Sequence, residues 1–418
     1  MSEVTEVNQR HEDYDVRRRV LCRVCDGELN NVFSLGAHYL NSFRFPGESP
    51  GIKVPLEIVV CRKCQLVQQR YTVSPNLLYR DRYWYRSGTT ATMRAVLRRV
   101  AEEATSRVGG LQTGDMVVDI GSNDGTLLRF YSSSPPIQRV GFEPSVTFKE
   151  SGKEGIDVLI NRPWNADLLR HEFGNKNAKI ITALGMFYDL EEPLLFLQDV
   201  ARVLRDDGVF VLQLMCLRNT LSQNDLGNLC HEHLVFYGLR HLEEMVRGVG
   251  MEIYEGEKNN VNGESYLLWI RKKKAKIAAP YLHDLADYER HEELIPDLNK
   301  FWERCRENRL RVREQIRYWN NQGHVVYAYG ASTKGNTLLQ YWNLGPDEIA
   351  GVLDRDSEKH DRLMTTGIRI VPEEVARMNA SKFLVLPYAF REEILSREKD
   401  WRDKGGEFLF PLPTAEVV

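Results

Sequence analysis

The sequence predicts an α/β protein in three parts: an N-terminal zinc-binding module, a central Rossmann-like unit and a smaller C-terminal Rossmann-like unit. Two CxxC pairs near the N-terminus predict the zinc-binding module. A strand, a glycine-containing turn and a helical segment follow one another at 115–130, and the same succession returns at 324–342. Strands that alternate with helices are typical of open, mostly parallel sheets. We expect the parts to span 1–75, 76–280 and 281–418.

Length and composition narrow the class of protein. The 418 residues exceed one ordinary domain, and a hydrophobic fraction of 42% is sufficient for folded cores. A net charge of −3 gives no general attraction to nucleic acids or acidic membranes. No apolar run approaches the roughly 20 residues that span a bilayer, and the polar N-terminus lacks the apolar core of a signal peptide. We therefore expect a cytoplasmic enzyme without a membrane or nucleic-acid partner.

Four of the seven cysteines form two pairs, Cys22-x-x-Cys25 and Cys61-x-x-Cys64. A CxxC loop can place two thiolates on one side of a tight turn, and two such loops complete a tetrahedron around Zn²⁺. Four protein ligands leave no open coordination position, so we expect a structural zinc. A redox-active pair and a set of unrelated buried thiols are the alternatives.

The central unit opens on DMVVDIGSNDGTLLRF, which predicts a buried strand, a glycine turn and the start of a helix. The turn is not GxGxxG, and its acidic residues Asp119 and Asp124 would repel a pyrophosphate. They suit a ligand with ammonium, sulfonium and ribose groups, such as S-adenosylmethionine (SAM). A carboxylate at the end of the next strand can accept ribose hydroxyls. A dinucleotide and a ligand-free fold are the alternatives, and the predicted SAM-binding residues are Asp119, Gly121, Ser122, Asn123, Gly125 and Glu143.

The segment LCHEHLVFY at 229–237 places Glu232 between two histidines, His231 and His233. Side chains at i and i+2 point apart in helices and in strands, whereas helical two-histidine metal sites use i and i+4. Histidine titrates near neutrality and can therefore remove a proton from a substrate at neutral pH. We favour proton chemistry for this segment; metal binding and a purely structural role are the alternatives.

The C-terminal unit begins with a predicted long, charged helix at 281–320 and contains a second glycine turn, YGASTKGNTLL. Lys334, Gly335 and Asn336 lie where a strand passes into a helix, and backbone amides at a helix N-terminus favour anions. The GxxxxGK[ST] spacing of a phosphate-binding loop is missing. A diphosphate-linked sugar is the expected ligand of these three residues, and a simple turn in a docking domain is the alternative.

Taken in order, the paired CxxC module, VDIGSNDGTLL with GFEPS, the HEH tripeptide and YGASTKGNTLL resemble the nucleotide-sugar C-methyltransferase family over nearly the whole chain. The resemblance implies a zinc domain, a SAM-dependent methyltransferase domain and a C-terminal Rossmann-like domain. It also implies C-methylation of a nucleoside-diphosphate 4-keto-6-deoxy sugar in deoxysugar biosynthesis, at C3 beside the ketone. The sugar nucleotide is expected in the cleft between the parts of a monomer.

The resemblance further implies roles for individual side chains. The family's base is the histidine directly after the glutamate, which is His233 in this sequence. Glu232 would orient a substrate hydroxyl or the base, and His231 is a second candidate for either role. A tyrosine from the segment YRDRYWYRSG enters the active site in relatives, which indicates Tyr83 or Tyr85. Packing against a core is the alternative for these two tyrosines.

Two departures from the family pattern concern the substrate side. Some relatives have a tyrosine directly before HEH, where this chain has Cys230. Some have a histidine after the third parallel strand, where this chain has Tyr188, whose hydroxyl could donate to an enolate oxygen. The methyl-donor side follows the family, so the resemblance implies C-methylation more firmly than the identity of the sugar.

Two other classes of function stay open on the sequence. An oxidoreductase would use the C-terminal unit for NAD(P), although that unit lacks GxGxxG. A nucleic-acid-binding zinc protein would use basic stretches such as RKKKAK at 271–276, although the acidic net charge and the missing basic–aromatic stripe argue against it.

Overall fold

In the computed structural model, the described residues are 16–80, 83–261, 263–273 and 294–418. Three predictions fall on residues outside these ranges, in whole or in part. They concern the N-terminal segment 1–15, the second half of the basic stretch 271–276 and the first part of the predicted helix, at 281–293.

The N-terminal module consists of two small antiparallel sheets. Its strands are β1 (Val16–Arg18), β2 (Leu29–Tyr39), β3 (Lys53–Cys61), β4 (Val67–Gln69) and β5 (Tyr71–Val73). β1 pairs with β5, whereas β2, β3 and β4 form the larger sheet. The β-branched run in β3 suits its buried central position. One CxxC pair follows β1, and the other begins at the last residue of β3, so the two pairs meet at one end of the module.

The central unit is built on a seven-stranded sheet in the order β12-β13-β10-β9-β6-β7-β8. Its helices and strands, with one further short strand, are α1 (Ala91–Arg107), β6 (Met116–Ile120), β7 (Gln138–Phe142), β8 (Val158–Ile160), α2 (Ala166–Phe173), β9 (Ala178–Leu184), α3 (Pro193–Val203), β10 (Leu204–Met215), α4 (Leu217–Ser222), β11 (Val235–Phe236), α5 (Leu239–Gly248), β12 (Met251–Asn259) and β13 (Ser265–Lys272).

The five strands from β10 to β8 are parallel, and the remaining two pair antiparallel at one edge. Successive side chains of β6 point to opposite faces of the sheet. Val117 packs in the core that includes α1, and Val118 packs in the core that includes α3. The strand order reverses between β6 and β9. Ligands of open α/β sheets bind at such a switch point, outside the carboxyl ends of the strands.

The predicted helix directly after the first glycine turn is wrong. The chain forms only one 3₁₀ turn there, Leu128–Phe130. The sequence SSSPP follows within a few residues, and its two prolines lack the amide hydrogen that a continuing helix needs. Further short helical turns lie at Asn76–Arg80, Val146–Phe148, Ser151–Lys153, Phe187–Asp189, Leu226–Asn228, Ser357–Lys359 and Tyr388–Phe390.

The C-terminal unit is a six-stranded sheet, parallel except for its last strand, in the order β16-β15-β14-β17-β18-β19. Its elements are α6 (Leu294–Asn321), β14 (Val326–Tyr329), α7 (Thr333–Trp342), β15 (Gly351–Leu353), β16 (Ile370–Val371), α8 (Glu373–Asn379), β17 (Lys382–Val385), α9 (Arg391–Arg397), α10 (Lys399–Arg402), β18 (Glu407–Phe410) and β19 (Glu416–Val417). None of the helices in the described ranges is both long and apolar enough to cross a bilayer.

The zinc-binding module shares cores with both larger units. Cys61 and Leu66 belong to a cluster of the central unit, whereas Phe43 and Leu56 pack in a cluster with Trp342 of the C-terminal unit. Strand β11, which directly follows the HEH segment in the central unit, pairs antiparallel with β4 and extends the module's sheet. The module therefore forms a continuous structure with the segment that carries the predicted base.

Candidate active site

The four predicted zinc ligands come together at one end of the module. The Sγ atoms of Cys22, Cys25, Cys61 and Cys64 all lie within 4.8 Å of one another. The Cys22–Cys64 pair is separated by 3.7 Å and the Cys25–Cys61 pair by 3.4 Å. Zn–S bonds of about 2.3 Å in a tetrahedron place sulfur atoms about 3.8 Å apart, so this set fits a zinc ion. Four thiolates fill the coordination sphere, which makes the site structural.

A cavity, here called the central cavity, opens at the carboxyl ends of β6, β9 and β10. The wall on the predicted SAM side includes Asp119, Gly121 and Ser122 from the first glycine turn, together with apolar side chains of α1 and β9. Thr182 Oγ1 donates a hydrogen bond of 2.6 Å to Asp119 Oδ1. Burial raises the pKa of Asp119 to about 7, although the Thr182 hydrogen bond opposes this shift. An ionised Asp119 would therefore gain from a cationic ligand, which suits the ammonium and sulfonium groups of SAM.

The first glycine turn is held by the segment that leads into α1. Gly121 and Gly125 both have φ of +75°, a backbone conformation that side chains rarely adopt. Ser87 N donates to Asn123 Oδ1 at 3.0 Å, and Gly88 N donates to Asp124 Oδ2 at 3.0 Å. A Cβ at Gly88 would lie 2.5 Å from Thr126 Oγ1 and 2.6 Å from Asp124 Oδ2, so a larger residue would displace these side chains and disturb the bond to Asp124. The predicted Asn123 thus supports the turn through its side chain.

Glu143 also supports the turn. Its carboxylate accepts hydrogen bonds from Asn123 N at 2.9 Å and from Ser145 N at 2.8 Å. Burial raises the pKa of Glu143, while these two amides oppose the shift. A carboxylate has about four acceptor positions, so these two bonds leave capacity for ribose hydroxyls.

His233 lies in the wall of the same central cavity as Asp119 and Gly121. Its Nδ1 atom lies 2.8 Å from the backbone oxygen of Asn228. A carbonyl oxygen can only accept, so Nδ1 carries the hydrogen and Nε2 carries the lone pair of the neutral ring. Burial, and to a smaller extent the charge of Lys334, lower the pKa of His233 to about 3, while the Asn228 bond opposes the shift. The imidazole is therefore neutral at pH 7 and its Nε2 atom can accept a proton, but the expectation that this histidine titrates near neutrality is wrong, because burial removes the ring from water.

The other two residues of HEH lie away from the cavity wall. His231 is 2% exposed, and its Nε2 atom lies 2.9 Å from the backbone oxygen of Val54 in β3. Asn41 Nδ2 donates to Glu232 Oε2 at 3.4 Å, and burial raises the pKa of this carboxyl. Both side chains thus contact the zinc-binding module.

All three predicted tyrosines line the central cavity. The ring of Tyr188 packs edge-on against His233 with 4.5 Å between centroids. Tyr83 packs edge-on against Tyr79, and Tyr85 accepts a hydrogen bond from Asn123 through its backbone oxygen. Burial raises the pKa of Tyr83 and of Tyr188 well above 10, so both hydroxyls stay protonated and can donate at neutral pH.

Of the three residues predicted in the second glycine turn, only Lys334 reaches the central cavity. Gly335 N donates to Ser332 Oγ and so belongs to the N-cap of α7. Asn336 is fully buried; its amide donates to Ser42 O at 3.2 Å and accepts from Thr365 N at 2.9 Å. Of the three, Lys334 alone therefore lies on the wall of the central cavity.

A second cavity, here called the C-terminal cavity, opens at the carboxyl ends of β14 and β15. Cations, acids and aromatic side chains line it, among them Phe43, Trp84, Asp354, Arg355, Lys359 and Arg397. Tyr85 and Thr333 line both this cavity and the central cavity, so the two are neighbours. Arg86 also lies on its wall, where it forms an ion pair of 3.2 Å with Glu358.

The sequence did not predict every residue of the central cavity. Gln213 and Met215, at the end of β10, lie on its wall. Their position at the carboxyl end of a parallel strand was a usable signal. Thr333 and Lys334 come from the C-terminal unit, and no local pattern connects them to the SAM side.

Three protein-family models match the chain in succession. A zinc binding domain covers residues 22–79, a methyltransferase domain covers 91–255 and a C-methyltransferase C-terminal domain covers 260–413. The C-methyltransferase NovU of Streptomyces niveus is 26% identical over 412 residues, which cover 95% of this chain and 96% of NovU. These matches confirm the zinc interpretation of the cysteines, and they confirm SAM, rather than a dinucleotide, as the cofactor of the methyltransferase domain.

Solved structures match only part of the chain. A SAM-dependent methyltransferase from Clostridium acetobutylicum is 13% identical and covers 43% of this chain and 92% of its own, with a TM-score of 0.35. The magnesium protoporphyrin IX methyltransferase of Synechocystis PCC 6803, solved with SAM, is 11% identical and covers 43% of this chain and 79% of its own, with a TM-score of 0.33. Scores this low support no argument about the arrangement of the site.

Proposed function

Because the chain belongs to the SAM-dependent C-methyltransferases that combine a zinc-binding module with a C-terminal C-methyltransferase domain, we propose that it methylates C3 of a nucleoside-diphosphate 4-keto-6-deoxy sugar. One observation supports the chemistry above all others: the neutral imidazole of His233 lies on the wall of the cavity that the SAM-binding turn forms. A base beside a methyl donor is what C-methylation next to a ketone requires.

The proposed reaction has two steps, proton removal and methyl transfer. His233 Nε2 takes the proton from the carbon beside the carbonyl, and the electron pair of the broken C–H bond passes to the carbonyl oxygen as an enolate. The hydroxyls of Tyr83 and Tyr188 are protonated donors in the same cavity and can stabilise that oxygen. SAM supplies an electrophilic methyl group, to which the enolate carbon bonds while the C–S electron pair stays on sulfur.

The C-terminal cavity suits the nucleoside diphosphate. Arg355, Lys359 and Arg397 are the proposed phosphate contacts, for which Lys359 would exchange its ion pair with Asp354 and Arg397 its ion pair with Glu373. The rings of Phe43 and Trp84 provide apolar surface for the nucleobase. Because two residues line both cavities, we infer that one ligand extends from the C-terminal cavity into the central cavity, with its sugar beside His233. A single sugar nucleotide accounts for both cavities.

Mass spectrometry tests this proposal directly. The purified protein is incubated with SAM and a panel of 4-keto-6-deoxy sugars linked to dTDP, GDP or UDP, with the matching 4-hydroxy sugars as controls. We expect one added methyl group on a keto sugar and none on its control, and NMR of the product to place it on C3. A methyl group on oxygen, or no product from any keto sugar, would contradict C-methylation of this substrate class. A methyl group on C5, the other carbon beside the ketone, would contradict the C3 assignment alone.

A further inference from the structure

The C-terminal unit contributes a charged side chain to the cavity where methyl transfer is proposed. Among the described residues that line the central cavity, Lys334 is the one cation. It lies in the first turn of α7, whose N-terminal end also favours negative charge. The remaining wall holds the acid Asp119 and neutral groups. Lys334 is therefore the positive side chain on this wall that can interact with an anion formed in the cavity.

One short turn connects Lys334 with the base. At its start, Asp225 Oδ2 lies 3.5 Å from Lys334 Nζ and accepts from Asn228 Nδ2 at 2.6 Å. At its end, the backbone oxygen of Asn228 accepts the Nδ1 hydrogen of His233. Between them, a Cβ at Gly227 would lie 3.2 Å from Lys334 Cβ, so the turn packs closely on the lysine. The ammonium group and the imidazole are thus both held by the same turn.

Asp225 is itself firmly held. It is 2% exposed, and the Tyr388 hydroxyl donates a hydrogen bond to Asp225 Oδ1. Its carboxylate therefore holds Lys334 while it is itself bound by the C-terminal unit and by the turn. The electrostatic effect of Lys334 on the base is consistent with this proximity, since its charge lowers the pKa of His233.

On the basis of the proposed function, we propose that Lys334 is a catalytic residue whose ammonium group stabilises the enolate oxygen while His233 removes the proton. No proton moves to or from Lys334 in this step: the C–H proton goes to His233 Nε2, and the oxygen keeps the negative charge beside the ammonium group. A fixed cation in a site that excludes water lowers the barrier because it needs no reorganisation as the charge develops. This role differs from phosphate binding, which would act equally before and during the reaction.

Deuterium uptake separates these roles. Wild type, Lys334→Met and Lys334→Arg are incubated with saturating keto-sugar nucleotide in D₂O without SAM, and exchange at the carbon beside the ketone is followed by NMR. We expect Lys334→Met to slow exchange about a hundredfold, the loss typical for one oxyanion donor, with substrate Kd changed less than about threefold, and Lys334→Arg to restore part of the rate. Lys359→Met, which removes a cation of the C-terminal cavity, should instead weaken substrate binding.

An unchanged exchange rate at saturation in Lys334→Met, with or without weaker substrate binding, would overturn the proposal. A second measurement needs no substrate: ¹³C-histidine NMR should show that Lys334→Met raises the pKa of His233, and an unchanged pKa would count against the proximity on which the role depends. If the wild-type protein neither exchanges nor methylates any keto sugar, the proposed function is contradicted. The NMR titration of His233 would still test whether Lys334 acts on this histidine.

Discussion

Gln69 Nε2 donates a hydrogen bond of 2.9 Å to the backbone oxygen of His233. The same amide group also donates to the backbone oxygen of Cys230, so it spans the HEH segment. Its neighbour Gln68 donates through Nε2 to Cys22 Sγ at 3.2 Å. Two consecutive residues of β4 therefore connect a zinc ligand with the backbone of the proposed base, which indicates that the zinc-binding module positions the active site.

Replacing Gln69 should impair turnover without impairing SAM binding. Gln69→Met keeps the size of this fully buried side chain but removes its two donated bonds, so His233 loses part of its support. We expect kcat to fall about tenfold or more, since small misplacements of a catalytic group are costly, with the Kd of SAM changed less than about twofold. Steady-state kinetics and calorimetry measure the two quantities.

A matched control is Gln340→Met. Gln340 also exchanges two hydrogen bonds with the module, both with the backbone of Tyr39, but it lies on α7 and contacts no residue of HEH. This variant should lose stability with little change in kcat. Equal loss of kcat in both variants would mean that Gln69 acts only through general stability.

Removing zinc should unfold the module and, through it, disable the active site. Cys61 is fully buried, and Cys61→Ser breaks the four-thiolate set. Structural zinc sites contribute folding free energy directly, so we expect loss of bound zinc, a lower Tm and loss of activity together. Metal analysis by mass spectrometry, calorimetry and activity assays test this. A zinc-free Cys61→Ser protein with wild-type Tm would contradict a structural role.

SAM affinity should depend on pH through Asp119. Burial raises the pKa of this carboxyl to about 7, so it becomes protonated and uncharged as the pH falls below that value. A cationic ligand then loses its counter-charge, and we expect the Kd of SAM to rise by up to about tenfold per pH unit below 7. Calorimetric titrations between pH 5.5 and 8.5 measure this dependence. In Asp119→Asn, SAM should bind weakly with a flat profile; an undiminished slope in that variant would assign the effect to another group.

Short sequence patterns predicted those parts of the site whose residues lie close together in the sequence. The spacing of the CxxC pairs identified all four zinc ligands, and the glycine turn placed Asp119, Gly121 and Ser122 on one cavity wall. Pairings between distant segments were not predictable in this way. A strand as short as Val235–Phe236 shows no periodicity that would reveal its partner in the module.

Lys334 shows the same limit on the substrate side. Its turn predicted an anion site within the C-terminal unit, because a helix N-terminus and a lysine are both local features. Its position beside His233 results from packing between α7 and the turn that contains Gly227, residues more than one hundred positions apart. Only the assembled fold brings such residues together.

Proton exchange by a variant of His233 tests the central claim most directly. His233→Asn keeps a donor near the Nδ1 position and removes the basic nitrogen, and His233→Ala removes both. The matched control is His231→Gln, which keeps a donor near Nε2 for the Val54 oxygen. In D₂O without SAM, we expect both His233 variants to exchange the hydrogen beside the ketone about a hundredfold or more slowly than wild type, with SAM affinity nearly intact, while His231→Gln exchanges at close to the wild-type rate. A wild-type exchange rate in His233→Asn would contradict the account.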